Sequence, residues 1–323
     1  MFFFCGGNKT NPTGVFSLFS LLAQHGKIVI PKECKRDSKG FRILENQVPD
    51  FTNCTNDEIV SLLRNSVLYS DDNLIILNKP YNLVIHESET TKDRCLSSLL
   101  EDLAKDLDPK NASPKLLTVH RLDKETTGCL LLARTEIMAQ TLKSYFAQRK
   151  IMKKYLIITS KVPEPLEGII DIPISEGFIE RKSRMVLQPE IPSDIKYYNH
   201  CNKGKRAVTQ YKVISTRHNA ALVEVRPETG IKHQIRVHFG FGLSCPILGD
   251  HKYSHLTKLA PQKLQADILQ KLYVRQSKVR YIPMHIHAQS IVIPDYFEKR
   301  NLFVAAPLPE HMKRSMKALQ LIK

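Results

Sequence analysis

The stretch VHRLDKETTGCLLLA, residues 119–133, restricts the fold more than any other part of the sequence. Apolar residues at 116–119 and 129–133 predict two strands, and the polar segment between them, with its Thr-Thr-Gly turn, predicts a loop. Loops held between rigid strands often carry catalytic groups. Arg121 lies two residues from Asp123, so an extended loop can direct both side chains at one ligand. An ordinary surface ion pair beside a turn is the alternative interpretation.

Strand and helix patterns alternate on both sides of this stretch. Further strands are predicted at 73–78, 155–159, 221–225 (half-buried) and 284–292, with a hairpin arm or exposed loop at 181–187. Helices are predicted at 96–107, 136–146, 233–239 and 309–321. Many strands and few helices favour an α+β fold, in which a mixed, largely antiparallel central sheet is flanked by helices.

The composition points to a polyanionic partner. The chain has 323 residues, and 48 Lys and Arg against 32 Asp and Glu give a formal net charge of +16. An excess of basic residues favours binding to nucleic acid, because binding releases counterions. Residence in a compartment that tolerates basic proteins, such as the mitochondrial matrix, is a second explanation of the charge. No apolar run is long enough to span a membrane. The seven cysteines form no CxxC pair, which argues against a disulfide scaffold and for a reducing compartment.

The first part of the chain differs from the rest. Residues 1–66 are predicted to be an N-terminal extension, and residues 67–323 to be one domain. Its first 32 residues contain Lys9, Lys27 and Lys32 but no acidic residue, which is typical of a mitochondrial transit segment. The absence of arginine from these 32 residues leaves an ordinary N-terminal extension open as the alternative.

A second polar segment, ETGIKHQIRVHFGFGLSCPILGDHKY, occupies residues 228–253. On a helix, Lys232 and Arg236 share one face, as do Gln234 and His238. Such a face can bind phosphate, or an arginine can point inward and pair with a buried carboxylate. An amphipathic helix followed by a glycine-rich loop is the simpler interpretation.

Metal and nucleotide cofactors are not expected. Several histidines are closely spaced, but HExxH and cysteine pairs are missing and carboxylates near them are few. The GxG at residues 240–242 lacks a third glycine, and no Walker A loop occurs in the sequence.

Taken together, these segments resemble the RluA-type pseudouridine synthases. HRLDKETTG resembles the HRLDxxTSG signature, with Thr127 where serine is usual, and LIILNKPYNLVIH resembles the strand-KPxGLxVH opening, with Asn82 in place of glycine. Lys154-Tyr155 matches the KxY segment, TGIKHQIRVH and CPILGDHKY match the TGRxHQIRVH and PIxGDxxY block, and residues 286–288 match the late L-H-A strand. Ile231 and Lys232 depart from the wider family but fit its mitochondrial branch.

The resemblance implies a role for individual residues. It places the nucleophile at Asp123, the aromatic residue that packs on the target base at Tyr155, and the arginine that pairs with the aspartate at Arg236. Arg121 matches the residue that helps to extrude the base. The same motifs place five further residues in the substrate site: His120, Thr127, His233, Gln234 and Ile286. The family's fold has a central cleft, and its reaction needs no cofactor or metal.

The expected function is therefore isomerisation of uridine to pseudouridine in structured RNA, in the mitochondrial matrix or otherwise in the cytoplasm or nucleus. Ribosomal or transfer RNA is the expected substrate. We also expect a monomer that associates with mitochondrial RNA granules or ribosome assembly intermediates. Basic residues at 150–154, at 181–184 and in the C-terminal helix are predicted to bind RNA phosphates. A non-catalytic RNA-binding assembly factor with the same fold is the alternative, and a metal-dependent hydrolase using the histidines is a third interpretation.

Overall fold

A computed structural model describes residues 35–44, 47–86, 95–188 and 204–322. Most of the predicted transit segment lies outside the described residues. Within the described ranges, no helix has the length and apolar character needed to cross a membrane.

The described residues contain six α-helices, and the predicted helices all appear among them. Their bounds are α1 Asn56–Arg64, α2 Leu96–Leu107, α3 Glu136–Ala147, α4 Gln234–Val237, α5 Ala266–Leu272 and α6 Glu310–Ala318. A π-helical turn, His238–Gly242, follows α4, and a 3-10 helix covers Gln276–Tyr281.

The described residues also contain twelve strands. They are β1 Val67–Ser70, β2 Leu74–Lys79, β3 Leu117–Thr118, β4 Thr127–Ala133, β5 Met152–Thr159, β6 Glu167–Asp171, β7 Ile174–Ile179, β8 Lys182–Leu187, β9 Val208–Arg217, β10 Ala220–Pro227, β11 Ile286–Phe297 and β12 Arg300–Ala305. Helices and mainly antiparallel strands confirm the predicted α+β class.

The chain divides into two compact units. The described part of unit 1 covers residues 47–86, 95–152 and 288–308. Its strands follow the order β1-β2-β4-β11, with β3 paired to β4 and β12 paired to β11. The β2–β4 register places Leu77 opposite Leu130. Every residue of β4 is buried, as expected for a strand covered on both faces.

Helix α1 lies within the segment assigned to the N-terminal extension, but it packs on α2 and buries four of its residues. Thr55 and Glu58 form a capping box at its start, which satisfies backbone N–H groups that the first helical turn leaves unpaired. Helix α1 therefore contributes to unit 1. The boundary at residue 66 stays a prediction.

The structure explains why the HRLDKETTG segment has a glycine at position 128. Gly128 has φ of +108°, and a Cβ atom there would lie 2.1 Å from the carbonyl oxygen of Ala288. Since β4 and β11 are neighbours, only glycine permits this approach of the two backbones. The close contact between Gly128 and Ala288 thus fixes where the start of β4 lies in the sheet.

The described part of unit 2 covers residues 35–44, 153–188, 204–287 and 309–322. Strands β5, β10, β9 and β6 follow one another in antiparallel pairs, and β7 and β8 form a separate hairpin. The prediction of a half-buried strand at 221–225 was wrong in part. Leu222 is buried together with Ala221 and Val223, so this part of β10 is covered on both faces, and alternation begins only at Glu224.

Candidate active site

The HRLD loop lies in unit 1, between β3 and β4. Arg121 is exposed, Leu122 is buried and Asp123 is half-buried, so the leucine anchors the loop while the charged side chains flank it. The N–H of Thr126 donates to the carbonyl oxygen of Asp123 at 3.0 Å and closes a turn after the aspartate. Asp123 is therefore held on a short, defined turn at the start of a buried strand.

His120 links this loop to the sheet. Its Nε2 accepts the N–H of Leu131 at 2.9 Å, and its ring stacks on Phe146 with centroids 4.7 Å apart. This contact fixes one ring nitrogen as an acceptor. The geometry supports a role in positioning the loop.

Two predicted substrate residues are buried at the starts of strands. Thr127 begins β4 with 4% of its surface exposed, and Ile286 begins β11 with 3% exposed. Thr127 and Asp123 belong to unit 1, while Ile286 belongs to unit 2 together with Tyr155.

Tyr155 is half-buried in β5, opposite Val225 of β10. The lysines before it contact protein groups: Lys153 donates to the carbonyl oxygen of Thr229 at 3.4 Å, and Lys154 lies 3.5 Å from a carboxylate oxygen of Glu224. Pairing within the sheet fixes the direction of the tyrosine side chain.

Arg236 is buried in α4 and binds a carboxylate that the sequence analysis did not single out. Its Nε and Nη2 donate to the two carboxylate oxygens of Asp250 at 2.7 and 2.9 Å. The guanidinium also lies 5.0 Å from the ring centroid of Tyr253. The backbone N–H of Lys252 adds a third donor to Asp250 at 3.1 Å. The orientation of the arginine is thus fixed within unit 2.

Asp250 and Tyr253 belong to the GDHKY segment that carried the family resemblance. The signal that could have found them is their place in that motif, since spacing alone does not link Asp250 to an arginine 14 residues earlier.

His233 is also oriented by Tyr253. Its Nδ1 lies 2.6 Å from the tyrosine hydroxyl, which accepts the N–H of Met185 at 3.2 Å and so has its proton available for the imidazole. Burial, and then the charge of Arg236, lower the pKa of His233 to about 3. The imidazole is neutral near pH 7 and accepts a hydrogen bond from Tyr253.

Gln234 is bound entirely by protein groups. Its Oε1 accepts from the Thr229 hydroxyl at 2.7 Å and from the Ile231 N–H at 3.0 Å. Its Nε2 donates to the carbonyl oxygen of Val208 and to the hydroxyl of Thr209, both at 2.9 Å. Since a carboxamide has two donors and two strong acceptor positions, all are in use. Gln234 therefore fixes the segment that precedes α4.

Arg184 does not have the role predicted from sequence. It is 5% exposed, its Nη1 donates to the carbonyl oxygen of His255 at 2.8 Å, and its guanidinium lies 4.7 Å from the centroid of the Phe241 ring. The expectation that it binds RNA phosphate was wrong, because the side chain is used to hold residues 252–256. Arg181 and Lys182, at the end of the same hairpin, are exposed.

Two of the buried histidines bind protein atoms. His285 contacts the Leu248 carbonyl and the Ser315 hydroxyl, and His238 contacts Thr209 and the Ile172 carbonyl. Over the described ranges, no three His, Cys, Asp or Glu side chains are grouped as metal ligands.

Comparison with known proteins gives concordant results. Residues 73–240 match the family described as RNA pseudouridylate synthase. The protein named "Pseudouridylate synthase RPUSD4, mitochondrial" from Rattus norvegicus is 44% identical over 266 residues, which cover 80% of this chain and 70% of the relative. "Ribosomal large subunit pseudouridine synthase D" from Zymomonas mobilis is 31% identical over 217 residues, covering 67% of this chain and 64% of that protein.

A solved structure is also similar. "Human RNA Pseudouridylate Synthase Domain Containing 4" aligns with a TM-score of 0.73 and 41% identity, covering 83% of this chain and 98% of that one. The family match spans the HRLD loop, β5 and α4. This chain therefore belongs to the RNA pseudouridylate synthase family, as an RNA pseudouridine synthase of the RluA type.

Proposed function

We propose that this protein isomerises uridine in structured mitochondrial RNA, with Asp123 as its catalytic carboxylate. The observation that carries this assignment is the position of Asp123. It lies on a closed turn between the strands of a motif that falls within the family match. A half-buried carboxylate on a fixed turn can be presented to a ribose without rearrangement of the loop.

The reaction is an internal rearrangement. The bond between N1 of uracil and C1′ of ribose breaks, the freed uracil rotates, and C5 bonds to C1′. The proton on C5 is then lost and N1 gains one, so atoms and electrons balance without an oxidant or a second substrate. A carboxylate at position 123 can attack C1′ or remove the 2′ proton, and either route requires the ionised form.

The remaining roles are those that the family resemblance implies, and the position of each side chain is compatible with its role. Tyr155 offers a half-buried ring for packing on the target base, which must leave the stack to react. Arg121 is exposed and is assigned to extrude the base and occupy its place. Arg236 is proposed to pair with the Asp123 carboxylate and to favour its ionised form. Asp250 fixes the orientation of the Arg236 guanidinium. His120, His233 and Gln234 position their loops, and Thr127 and Ile286 line the substrate site.

The RNA is expected to be ribosomal or transfer RNA of mitochondria. The name of one relative supports a mitochondrial location, and that of another supports a ribosomal substrate. We further propose that the protein is a monomer and associates with mitochondrial RNA granules or ribosome assembly intermediates. Sedimentation of the purified protein tests the first statement, and co-sedimentation with ribosomal precursors in gradients tests the second.

The decisive experiment compares pseudouridine maps of mitochondrial RNA from cells carrying wild-type protein or Asp123→Ala. Loss of one or a few pseudouridines in the variant is the expected result, with RNA affinity retained. An Asn substitution serves as a second variant because it preserves the shape of the side chain. An unchanged map with RNA still bound contradicts the assignment and favours a non-catalytic assembly factor.

A further inference from the structure

Two basic segments of unit 2 lie outside residues 73–240, the part of the chain that matches the family. They are residues 35–44 and 271–281, and we call the surface that they form the cationic–aromatic face. The two segments contain eight Lys and Arg residues but only one acidic residue, Asp37, and so contribute +7 to the formal net charge of +16. Such a concentration of positive charge attracts a polyanion.

Direct contacts join the two segments. The backbone N–H of Arg42 donates to the carbonyl oxygen of Tyr273 at 2.7 Å, and Arg36 and Arg42 pair in a β-bridge. A carboxylate oxygen of Asp37 lies 2.7 Å from Nη2 of Arg275. The face therefore has a defined shape, and its one acidic side chain is engaged by an arginine of the same face.

Tyr273 carries a guanidinium group on its ring. Cζ of Arg36 lies 3.9 Å from the ring centroid, and the tyrosine is still 49% exposed. The backbone of Tyr273 is left-handed, with φ of +54°, at the end of α5, where glycine is the usual residue. A bulky side chain in this conformation is strained, and strained residues are often found at functional positions. The exposed part of the ring is suited to stacking on a base beside the guanidinium group.

A similar pair lies on the 3-10 helix that ends the second segment. Three residues per turn place Lys278 and Tyr281 on the same side of this helix. Nζ of Lys278 lies 5.6 Å from the centroid of the Tyr281 ring, and Tyr281 is 55% exposed. Val279 is fully buried and anchors the helix. The helix therefore presents a cation and an aromatic ring together to solvent.

RNA is the partner that uses both the charges and the rings. Its phosphates pair with cations, and its unpaired bases stack on aromatic side chains with little regard to sequence. A duplex offers phosphates but keeps its bases stacked inside, and an acidic protein segment needs the charges but not the rings. Exposed tyrosines beside cations thus favour a single-stranded part of an RNA.

We propose that the cationic–aromatic face is a second RNA-binding surface, which holds a single-stranded part of the RNA outside the catalytic motifs. Tyr273 and Tyr281 stack on unpaired bases, while Lys39 and Lys278, both exposed, contact phosphates. The inference goes beyond the proposed function and does not depend on the role of Asp123.

The test measures binding of the full chain to two fluorescent RNA probes by anisotropy, at several salt concentrations. One probe is a single strand of about 20 cytidines, which exceeds the usual site size of such surfaces. The other is a duplex of guanosine and cytidine of the same length. Neither probe contains uridine, so neither offers the catalytic site a target base.

The two variants of the face should act on different parts of the binding. Tyr281→Ala should weaken binding of the single strand about tenfold, because one stacked base is lost, and should change duplex affinity by less than about twofold. Lys278→Met should weaken binding of both probes. For the single strand, it should reduce the dependence of log affinity on log salt by about 0.7.

Each variant has a matched control. Tyr281→Phe keeps the ring and should keep the single-strand affinity within about twofold of wild type. Lys105→Met removes one positive charge outside the face, from an exposed lysine of α2 that lies 2.6 Å from Glu101. It should leave the salt dependence unchanged.

The outcomes separate this inference from the proposed function. Wild-type affinity for both probes in Tyr281→Ala and Lys278→Met overturns the inference and favours an acidic protein segment as the partner. Equal losses in Tyr281→Phe and Tyr281→Ala, or equal losses for strand and duplex in Tyr281→Ala, overturn the stacking role. If Asp123→Ala retains activity, the proposed function fails instead, whatever these binding measurements give.

Discussion

At the scale of single residues, the candidate site is organised by side chains that hold other side chains. Arg236 is oriented by Asp250, and His233 by Tyr253. Each of these partners is itself largely buried, so its geometry is fixed by packing. Pre-oriented groups avoid the entropic cost of ordering during the reaction. The supporting residues should therefore affect rate without contacting RNA.

The pair formed by Arg236 and Asp250 gives a prediction at this scale. Asp250→Asn leaves the buried guanidinium without its bidentate carboxylate, and breaking a buried pair in this way costs about 3 kcal/mol. We expect a loss of that size in the free energy of unfolding, measured with urea, and a lower single-turnover rate.

Glu167→Gln is the control for Asp250→Asn. Glu167 lies 3.0 Å from Lys212, but both side chains are more than two-thirds exposed, at 68% and 70%. Water screens such a pair, so the substitution should change the free energy of unfolding by less than about 1 kcal/mol. Equal effects of the two substitutions would contradict the assigned role of Asp250.

At the scale of elements, the β7–β8 hairpin combines a structural end and an exposed end. Ile174 and Met185 pack with Tyr253 in a buried cluster, which fixes the base of the hairpin. Phe178 is 79% exposed, and Arg181 is exposed near it at the turn. A basic, exposed turn on a fixed base is suited to phosphate contacts that set position without reading sequence.

The two arginines of this hairpin should therefore behave differently. Arg184→Met should lower the free energy of unfolding by about 2 kcal/mol, because the carbonyls that it binds lose their donors. Arg181→Met should leave stability within about 0.5 kcal/mol. It should weaken RNA binding and reduce the dependence of log affinity on log salt by about one. Urea unfolding and RNA binding at several salt concentrations measure both. Reversed behaviour of the two variants would refute this division.

At the scale of the whole molecule, buried histidines couple stability to pH. Burial lowers the pKa of His285 from 6.5 to about 4, and lowers that of His311 well below its usual value. His285 is bonded as a neutral imidazole: Nδ1 donates to the Leu248 carbonyl, and Nε2 accepts from the Ser315 hydroxyl. His311 lies in α6, and its ring packs against the ring of His285 within unit 2.

The direction of the pH effect follows from proton binding. Between pH 6.5 and 4, the unfolded chain binds a proton at His285 that the folded chain does not, so stability is lost as the pH falls through this window. The contribution of His285 is about 3 kcal/mol. Urea unfolding at pH 7.5 and pH 5 should show about 2 kcal/mol of this loss, because pH 5 covers only part of the window, and His285→Gln should reduce it.

Much of the fold was predictable because local patterns determine it. The leucines of α2 recur at helical spacing, and the predicted bounds agree with Leu96–Leu107. The strand predicted at 221–225 was assigned to the correct segment, but its burial was misjudged. Periodicity reports the preference of one segment, and whether both faces of β10 are covered depends on neighbours elsewhere in the chain.

The sequence by itself determined the class of fold, the family and the loop that carries Asp123, because hydrophobic periodicity and ordered motifs are properties of the chain read in order. Only the tertiary structure decided that Arg184 turns inward, that Asp250 binds Arg236, and that Lys79 binds the carbonyl of Lys124. The physical reason is distance along the chain. Each of these contacts joins segments separated by 14 to 72 residues, and their approach depends on how buried strands and turns pack.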